Sequence, residues 1–311
     1  MIKIKNIFIS TTTFGQFSKA PLRLLTENNF KFVFNDKIRK LTHAELKNDI
    51  GRFDGVIAGT ENYDSDIIDA AEKLKVISRV GVGIDNIDLN YALEKGIKVF
   101  KTQTNPGLAV AELSLGLILN LMRKIIKQSN NLINGFWKKE MGSLLTGKTL
   151  GIVGLGTIGK KLIQITEGLQ LQYLAYDIKK DEVFAEKYNV KYCDLSFLLE
   201  NADIISIHLN MGKGNENMIN INKFKKMKSS SIIINTSRGE IINEYDLEIA
   251  IKDKIIAGAG LDVFQEEPYH GPLTNYGNVI LTPHIGSYAK EIRIAMELEA
   301  VNNLIVGINT K

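Results

Sequence analysis

Near the middle of the chain an apolar run is broken by three glycines: TLGIVGLGTIGKKLIQI carries Gly154, Gly156 and Gly159 in the spacing G-x-G-x-x-G. The residues before them read as a buried strand and those after them as an amphipathic helix, so the glycines fall on a strand-to-helix turn. A glycine pattern alone also occurs in ordinary turns; the strand before it, the helix after it and an acid at the end of the next strand give it a mechanism. Gly154 permits the tight turn, Gly156 lets the backbone approach a pyrophosphate, and Gly159 lets helix and strand pack closely. The amides of Thr157 and Ile158, at the start of the helix, have no acceptor within it and lie at its positive end, where a phosphate is stabilised. Asp177 closes the next apolar run, YLAYD, where a carboxylate accepts hydrogen bonds from an adenosine ribose and repels a 2′-phosphate. The turn therefore predicts a parallel α/β sheet that binds a dinucleotide, NAD in preference to NADP, with Lys179 and Lys180 softening the preference.

The same alternation of short Val/Ile-rich runs and helix-length segments extends along the chain. Runs at residues 4–9, 56–58, 76–79 and 99–100, with helical stretches at 21–28 and 65–71, predict a first α/β domain. Runs at 150–153, 172–176, 204–208, 231–236, 257–259 and 279–281 predict a second, with the six strands of the dinucleotide-binding architecture. Residues 108–127 read as one long apolar helix, and residues 288–308 as a helix that returns to the first domain. The expected fold is α/β with two Rossmann-like domains and a cleft between them. A flavodoxin-like substrate domain spans residues 1–101 plus 287–311, the NAD-binding domain spans 102–286, and the crossings near 101–104 and 285–287 serve as hinges.

Composition narrows the functional classes. The 311 residues are 44% hydrophobic, enough for a large core. A net charge of +4 from 39 basic and 35 acidic residues, interspersed, argues against nucleic acid as a main partner. The single cysteine, Cys193, excludes an internal disulfide and a cysteine-based zinc cluster and suits a reducing compartment. The most apolar stretch, residues 108–122, is too short to span a bilayer and contains Glu112, and the N-terminus lacks the marks of a signal peptide. No pair of histidines has metal-ligand spacing. A cytoplasmic protein without a metal site or a membrane partner is expected.

In a parallel sheet, ligands sit beyond the carboxyl ends of the strands. Arg238 lies just past one such end in IIINTSRGEIIN, Asp262 and Glu267 past another in GAGLDVFQEEP, and His284 past a third in VILTPHIGS. Taken singly they read as a surface ion pair, a solvated turn and a satisfied histidine. Together with LKVISRVGVGIDNID, AVAELSLGLILNLMR, GKTLGIVGLGTIGKKL and INTSRGEIINEYDL, in this order over most of residues 74–287, they carry a resemblance. The chain resembles the D-isomer-specific 2-hydroxyacid dehydrogenases, and within them the phosphoglycerate dehydrogenase-like branch.

The resemblance implies an NAD-dependent oxidoreductase that interconverts a D-2-hydroxy acid and its 2-oxo acid. Arg238, Glu267 and His284 take the catalytic positions: His284 as proton donor, Glu267 as the carboxylate that holds its ring, and Arg238 as the planar fork on the substrate carboxylate. Asp262, Thr236, Ser237, His208, His284 and Gly286 take cofactor-lining positions, and Gly81, Val82 and Gly83 join Arg238 and His284 in holding the substrate. The leading substrate is 3-phosphoglycerate; glyoxylate, hydroxypyruvate or another 2-oxo acid is the alternative. Relatives of this fold also serve as NAD-sensing corepressors, a reading from another class. A homodimer through the NAD domain is implied, with residues 108–122 and the Trp137 segment as candidate contacts. Asn210 stands where proline is usual after His208, which implies a different following loop, and two further departures bear on the substrate: TQTNPGL precedes AVAE, and AGTENYDS has no arginine, for which Arg79 or a lysine is the candidate substitute. The chain stops at Lys311, so feedback through a C-terminal regulatory domain is not expected.

Overall fold

β-Branched and aromatic runs build two separate parallel sheets in this computed structural model, which describes residues 4–37, 39–212 and 214–310. The chain divides into two compact units, Met1–Asn105 with Ser287–Lys311, and Pro106–Gly286. Residues 1–3 and 311, included in the expected first domain, lie outside the described residues.

The first unit alternates β1 (Lys5–Ile9), α1 (Ala20–Glu27), β2 (Phe30–Phe34), α2 (His43–Ile50), β3 (Gly55–Ala58), α3 (Ser65–Ala70), β4 (Val76–Arg79), α4 (Leu89–Glu94) and β5 (Lys98–Lys101). Its five strands are all parallel in the order β2-β1-β3-β4-β5, the flavodoxin-like order. β3 reads GVIA and is buried throughout, because helices cover both faces of a parallel sheet. Three of these helices start at side-chain caps: Thr42 and Glu45 form a reciprocal capping box on α2, while Asp64 and Asp88 accept the third amides of α3 and α4. β2, FKFVF, is an addition to the strands expected from sequence. It lies at the sheet edge after Asn29, whose φ of 59° makes the reversal out of α1.

The second unit runs through α5 (Gly107–Arg123), α6 (Ile125–Ile133), β6 (Thr149–Val153), α7 (Thr157–Thr166), β7 (Gln172–Tyr176), α8 (Glu182–Tyr188), β8 (Val190–Tyr192), α9 (Leu195–Asn201), β9 (Ile204–Ile207), α10 (Ile221–Phe224), β10 (Ile232–Asn235), α11 (Glu244–Lys252), β11 (Gly258–Leu261) and β12 (Val279–Leu281). The order β12-β11-β10-β9-β6-β7-β8 is the doubly wound dinucleotide order with an added strand at one edge. The sheet has seven strands rather than the expected six, because β8 is only three residues long and leaves a weak pattern. The expected single helix over residues 108–127 is two: Lys124 adopts a left-handed φ of 53°, which ends α5 and turns the chain into α6.

The last helix, α12 (Lys290–Asn309), packs on the first unit's sheet, where Met296, Ala300, Val301 and Leu304 complete the core with Ile7, Ile9, Ile57 and Val76. It also explains why the crossing lies after Asn105 rather than after Lys101. Glu299 on α12 accepts the amides of Gln103 and Thr104 at 2.6 and 2.9 Å and the Thr104 hydroxyl at 2.7 Å, and so holds that segment in the first unit.

Candidate active site and cofactor-binding turn

The glycine turn joins β6 to α7. Gly154 has a φ of 98°, in the region that favours glycine, and a Cβ there would lie 2.8 Å from the carbonyl oxygen of His208. At Gly159 a Cβ would lie 2.7 Å from the Gly154 carbonyl oxygen, so helix and turn are in direct backbone contact. Gly156, the N-cap of α7, faces open space, and Thr157 beside it is exposed, while Ile158 is half-buried. The turn is held from β7: Asp177 accepts the Leu155 amide on Oδ2 at 2.7 Å and the Lys179 amide on Oδ1 at 2.8 Å. Two amides leave an ionised carboxylate with further lone pairs. Next to it Ile178 is 96% exposed, an apolar side chain at the mouth of the turn that the glycine pattern does not single out. Lys180 lies over the Tyr192 ring, 5.6 Å from its centroid.

His208, just past β9, is buried. Its Nε2 shares a hydrogen bond of 2.9 Å with the Ser206 hydroxyl, and its Nδ1 has no hydrogen-bond partner among the described residues. Burial pushes its pKa down to about 3, so the imidazole is neutral at physiological pH.

The three strand-end loops with the catalytic candidates all belong to the second unit. After β10, Thr236 is buried and shares a hydrogen bond of 3.0 Å with Ser114 of α5, while Ser237 donates to Asn235 Oδ1 at 2.8 Å. Arg238 follows, its Nη1 donating to the Ser237 carbonyl at 2.8 Å. Gly239 sets this loop directly against the one after β11: an added Cβ would sit 1.9 Å from the carbonyl carbon of Phe264. Within that second loop, Glu267 reaches His284 with both oxygens, 3.0 and 2.9 Å from Nδ1. A carboxylate only accepts, so Nδ1 carries a proton and Nε2 is the ring atom left for exchange with a ligand. Glu244 of α11 accepts the Gln265 amide at 2.6 Å. Burial, and then the carboxylates of Glu240, Glu266 and Glu267, push its pKa up against that hydrogen bond.

His284 itself has a φ of 55°, a left-handed backbone uncommon for a residue with a side chain. Asp262 secures this conformation from the end of β11. Its carbonyl accepts the His284 amide at 3.0 Å, and its buried carboxylate accepts the Thr282 hydroxyl at 2.6 Å and the amides of Ile285 and Gly286 at 2.8 Å each. Burial raises the Asp262 pKa despite these three donors. Asp262 is thus built into the His284 loop, a contact the sequence motif does not reveal.

The expected substrate loop, Gly81, Val82 and Gly83, belongs to the first unit, just past β4. The Gly81 carbonyl accepts the Thr102 amide at 3.1 Å, Val82 is exposed, and the Arg79 guanidinium folds over Gly81 to donate to the Val80 carbonyl. Past β3, the buried Glu61 carboxylate accepts the Ser10 hydroxyl and the Gly59 amide, both at 3.0 Å. Elsewhere on the second unit an exposed apolar patch runs along α6 and the segment after it: Ile133, Phe136, Trp137 (81% exposed), Met141 (89%) and Leu144. Among the described residues no group of three or more His, Cys, Asp or Glu could hold a metal ion, and no helix is long and apolar enough to cross a membrane.

Residues 115–286 match the family described as D-isomer specific 2-hydroxyacid dehydrogenase, NAD binding domain. The chain is 40% identical over 258 residues to the glyoxylate reductase of Thermofilum pendens, an alignment that covers 79% of this chain and 75% of that one. It is 34% identical over 276 residues to the D-3-phosphoglycerate dehydrogenase of Archaeoglobus fulgidus, covering 86% of this chain but 52% of that longer relative. Among solved structures, the TT0316 protein from Thermus thermophilus is similar with a TM-score of 0.86 at 29% identity, covering 97% of this chain and 96% of that one.

Proposed function

The chain belongs to the D-isomer specific 2-hydroxyacid dehydrogenases, NAD-dependent oxidoreductases, and from that premise we propose that it reduces a small unphosphorylated 2-oxo acid with His284 as the proton donor. The observation that carries the reading is the two-oxygen contact of Glu267 with His284 Nδ1, at 3.0 and 2.9 Å, on a left-handed backbone that aims the ring. NAD fits the glycine turn: Gly156 leaves open space, the first amides of α7 lack intrahelical acceptors, and Asp177 stands beside them with lone pairs to spare for a ribose. Bound there, the cofactor supplies the hydride.

The protein's own residues supply the rest. As the carbonyl carbon is reduced, its oxygen takes a proton, and His284 delivers it from Nε2. The Glu267 carboxylate stabilises the charged imidazole and fixes its orientation. Arg238 grips the substrate carboxylate with its planar fork and polarises the adjacent carbonyl. For the first unit, the resemblance supports a substrate-binding role for the backbone amides of Gly81, Val82 and Gly83.

Glu61 favours an unphosphorylated acid such as glyoxylate or hydroxypyruvate, because the loop past β3 carries a buried carboxylate and no cation to meet a phosphate. A second reading, oxidation of 3-phosphoglycerate, draws on Arg79, whose guanidinium lies over Gly81. Steady-state kinetics with glyoxylate, hydroxypyruvate and 2-oxoglutarate, and with 3-phosphoglycerate in the oxidative direction, each with NAD(H) and NADP(H), decide between them. The highest kcat/KM on glyoxylate or hydroxypyruvate supports the first reading and the highest on 3-phosphoglycerate the second; NADH binding without turnover of any acid would sink both in favour of a sensor. We further propose a homodimer built on the Trp137 patch and, from the single free cysteine Cys193, a reducing cytoplasmic setting.

A further inference from the structure

Asn235, the last residue of β10, is 1% exposed and carries no charge. Its side chain nevertheless brackets the turn that leads to Arg238. Oδ1 accepts the Ser237 amide at 3.1 Å and the Ser237 hydroxyl at 2.8 Å, and Nδ2 donates to the Arg238 carbonyl at 2.8 Å. On the main chain its carbonyl accepts the Asp262 amide at 2.9 Å, so the same residue joins the Arg238 loop to the strand whose end holds the His284 loop.

The bond pattern is selective. It needs an acceptor for two donors and a donor for one carbonyl from a short side chain, and among amino acids only asparagine offers both at this length. Aspartate keeps the acceptor toward Ser237 but meets the Arg238 carbonyl with a second acceptor. Buried hydrogen bonds of this kind hold a backbone in one place, because breaking them leaves groups unsatisfied away from water. A shift of about 1 Å in a substrate-positioning group costs on the order of 100-fold in rate.

We infer that Asn235 is a positioning residue for Arg238: it fixes the main chain from which the guanidinium reaches the substrate carboxylate. The inference rests on the carboxylate-binding role proposed above for Arg238. It goes beyond that role in assigning the placement of the grip to a buried amide outside the expected site residues.

A double-mutant cycle on the full chain tests it. Asn235→Ala, Arg238→Ala and the double variant are assayed with NADH and the acid of the panel above that turns over fastest, together with NADH affinity by fluorescence and thermal midpoint. Asn235→Ala is expected to lower kcat/KM about 10- to 100-fold, mainly through KM for the acid, with a smaller change in NADH affinity because Asn235 also holds Ser237. In the Arg238→Ala background the same substitution should change kcat/KM by less than about twofold, since residues acting through one another are not additive. If Asn235→Ala is too unstable to assay, Asn235→Asp takes its place, because it keeps the acceptor toward Ser237 and replaces the donor to the Arg238 carbonyl by a second, charged acceptor. An undiminished loss in the Arg238→Ala background, or wild-type kinetics for the Asn235 variants while Arg238→Ala is impaired, would overturn the positioning role alone. Wild-type kinetics for Arg238→Ala would overturn the role of Arg238 and the inference with it.

Discussion

A single backbone angle governs the proposed acid. His284 sits at a φ of 55°, and the carbonyl and carboxylate of Asp262 take the donors of the loop around it. Replacing His284 with Asn should leave NADH binding nearly intact and lower turnover about 100- to 10,000-fold, the usual contribution of a positioned acid. Unchanged turnover in steady-state assays would remove His284 from that role. The buried histidine, His208, predicts a pH effect on stability. His208 has a folded pKa of about 3, and an unfolded histidine titrates near about 6.5. Its contribution is therefore fully present above the unfolded value and is lost as pH falls toward the folded one, because the unfolded chain binds the proton first. Urea denaturation between those limits should show wild-type stability falling with acid more steeply than that of His208→Gln; parallel slopes would refute the assignment. Arg238, Glu267 and His284 are readable in the sequence because their types and motif positions are chemically specific. Asn235, Gly239 and the loop-holding contacts of Asp262 are not, because their importance lies in contacts made only after folding.

At the scale of elements, the strand-end loops work as a set because Gly239 lets two of them touch. An alanine there would bring its Cβ to 1.9 Å from the Phe264 carbonyl carbon, and backbone on both sides cannot give way cheaply. Gly239→Ala should cost about 1–3 kcal/mol by overpacking and reduce turnover by moving Arg238 away from the Glu267 loop. Denaturation and kinetics on the same preparation check it, and native values in both would mean the loops adjust freely. The elements missed from sequence have local causes. β2, FKFVF, is an edge strand in which Val33 and Phe34 stay exposed, so it lacks the clean alternation of a half-buried strand. The α5–α6 break escaped because Lys124 is an ordinary helix former whose left-handed turn is imposed by packing: the Met122 carbonyl accepts the Ser143 amide at 2.8 Å as the following segment folds back.

For the whole molecule, the apolar surface on the second unit is the feature with the clearest consequence. Trp137 and Met141, each more than four-fifths exposed, lie with Ile133, Phe136 and Leu144 in one stretch of chain, and exposed apolar patches of this kind mark association surfaces. Sedimentation should find a dimer for the wild type and a shift toward monomer for the double substitution Trp137→Glu, Met141→Lys. A monomeric wild type would refute the patch as a dimer contact.

The sequence by itself determined the α/β class, the glycine turn with Asp177 at the next strand end, and the order of Arg238, Glu267 and His284, because strand periodicity and motif chemistry are local properties of the chain. Tertiary structure alone decided that the segment before Asn105 belongs with Glu299 and that Gly239 must lack a side chain. It decided as well that Asn235 and Asp262 hold the loops of Arg238 and His284. Those facts depend on which strands become neighbours, and β10 and β11 become neighbours only when the sheet forms.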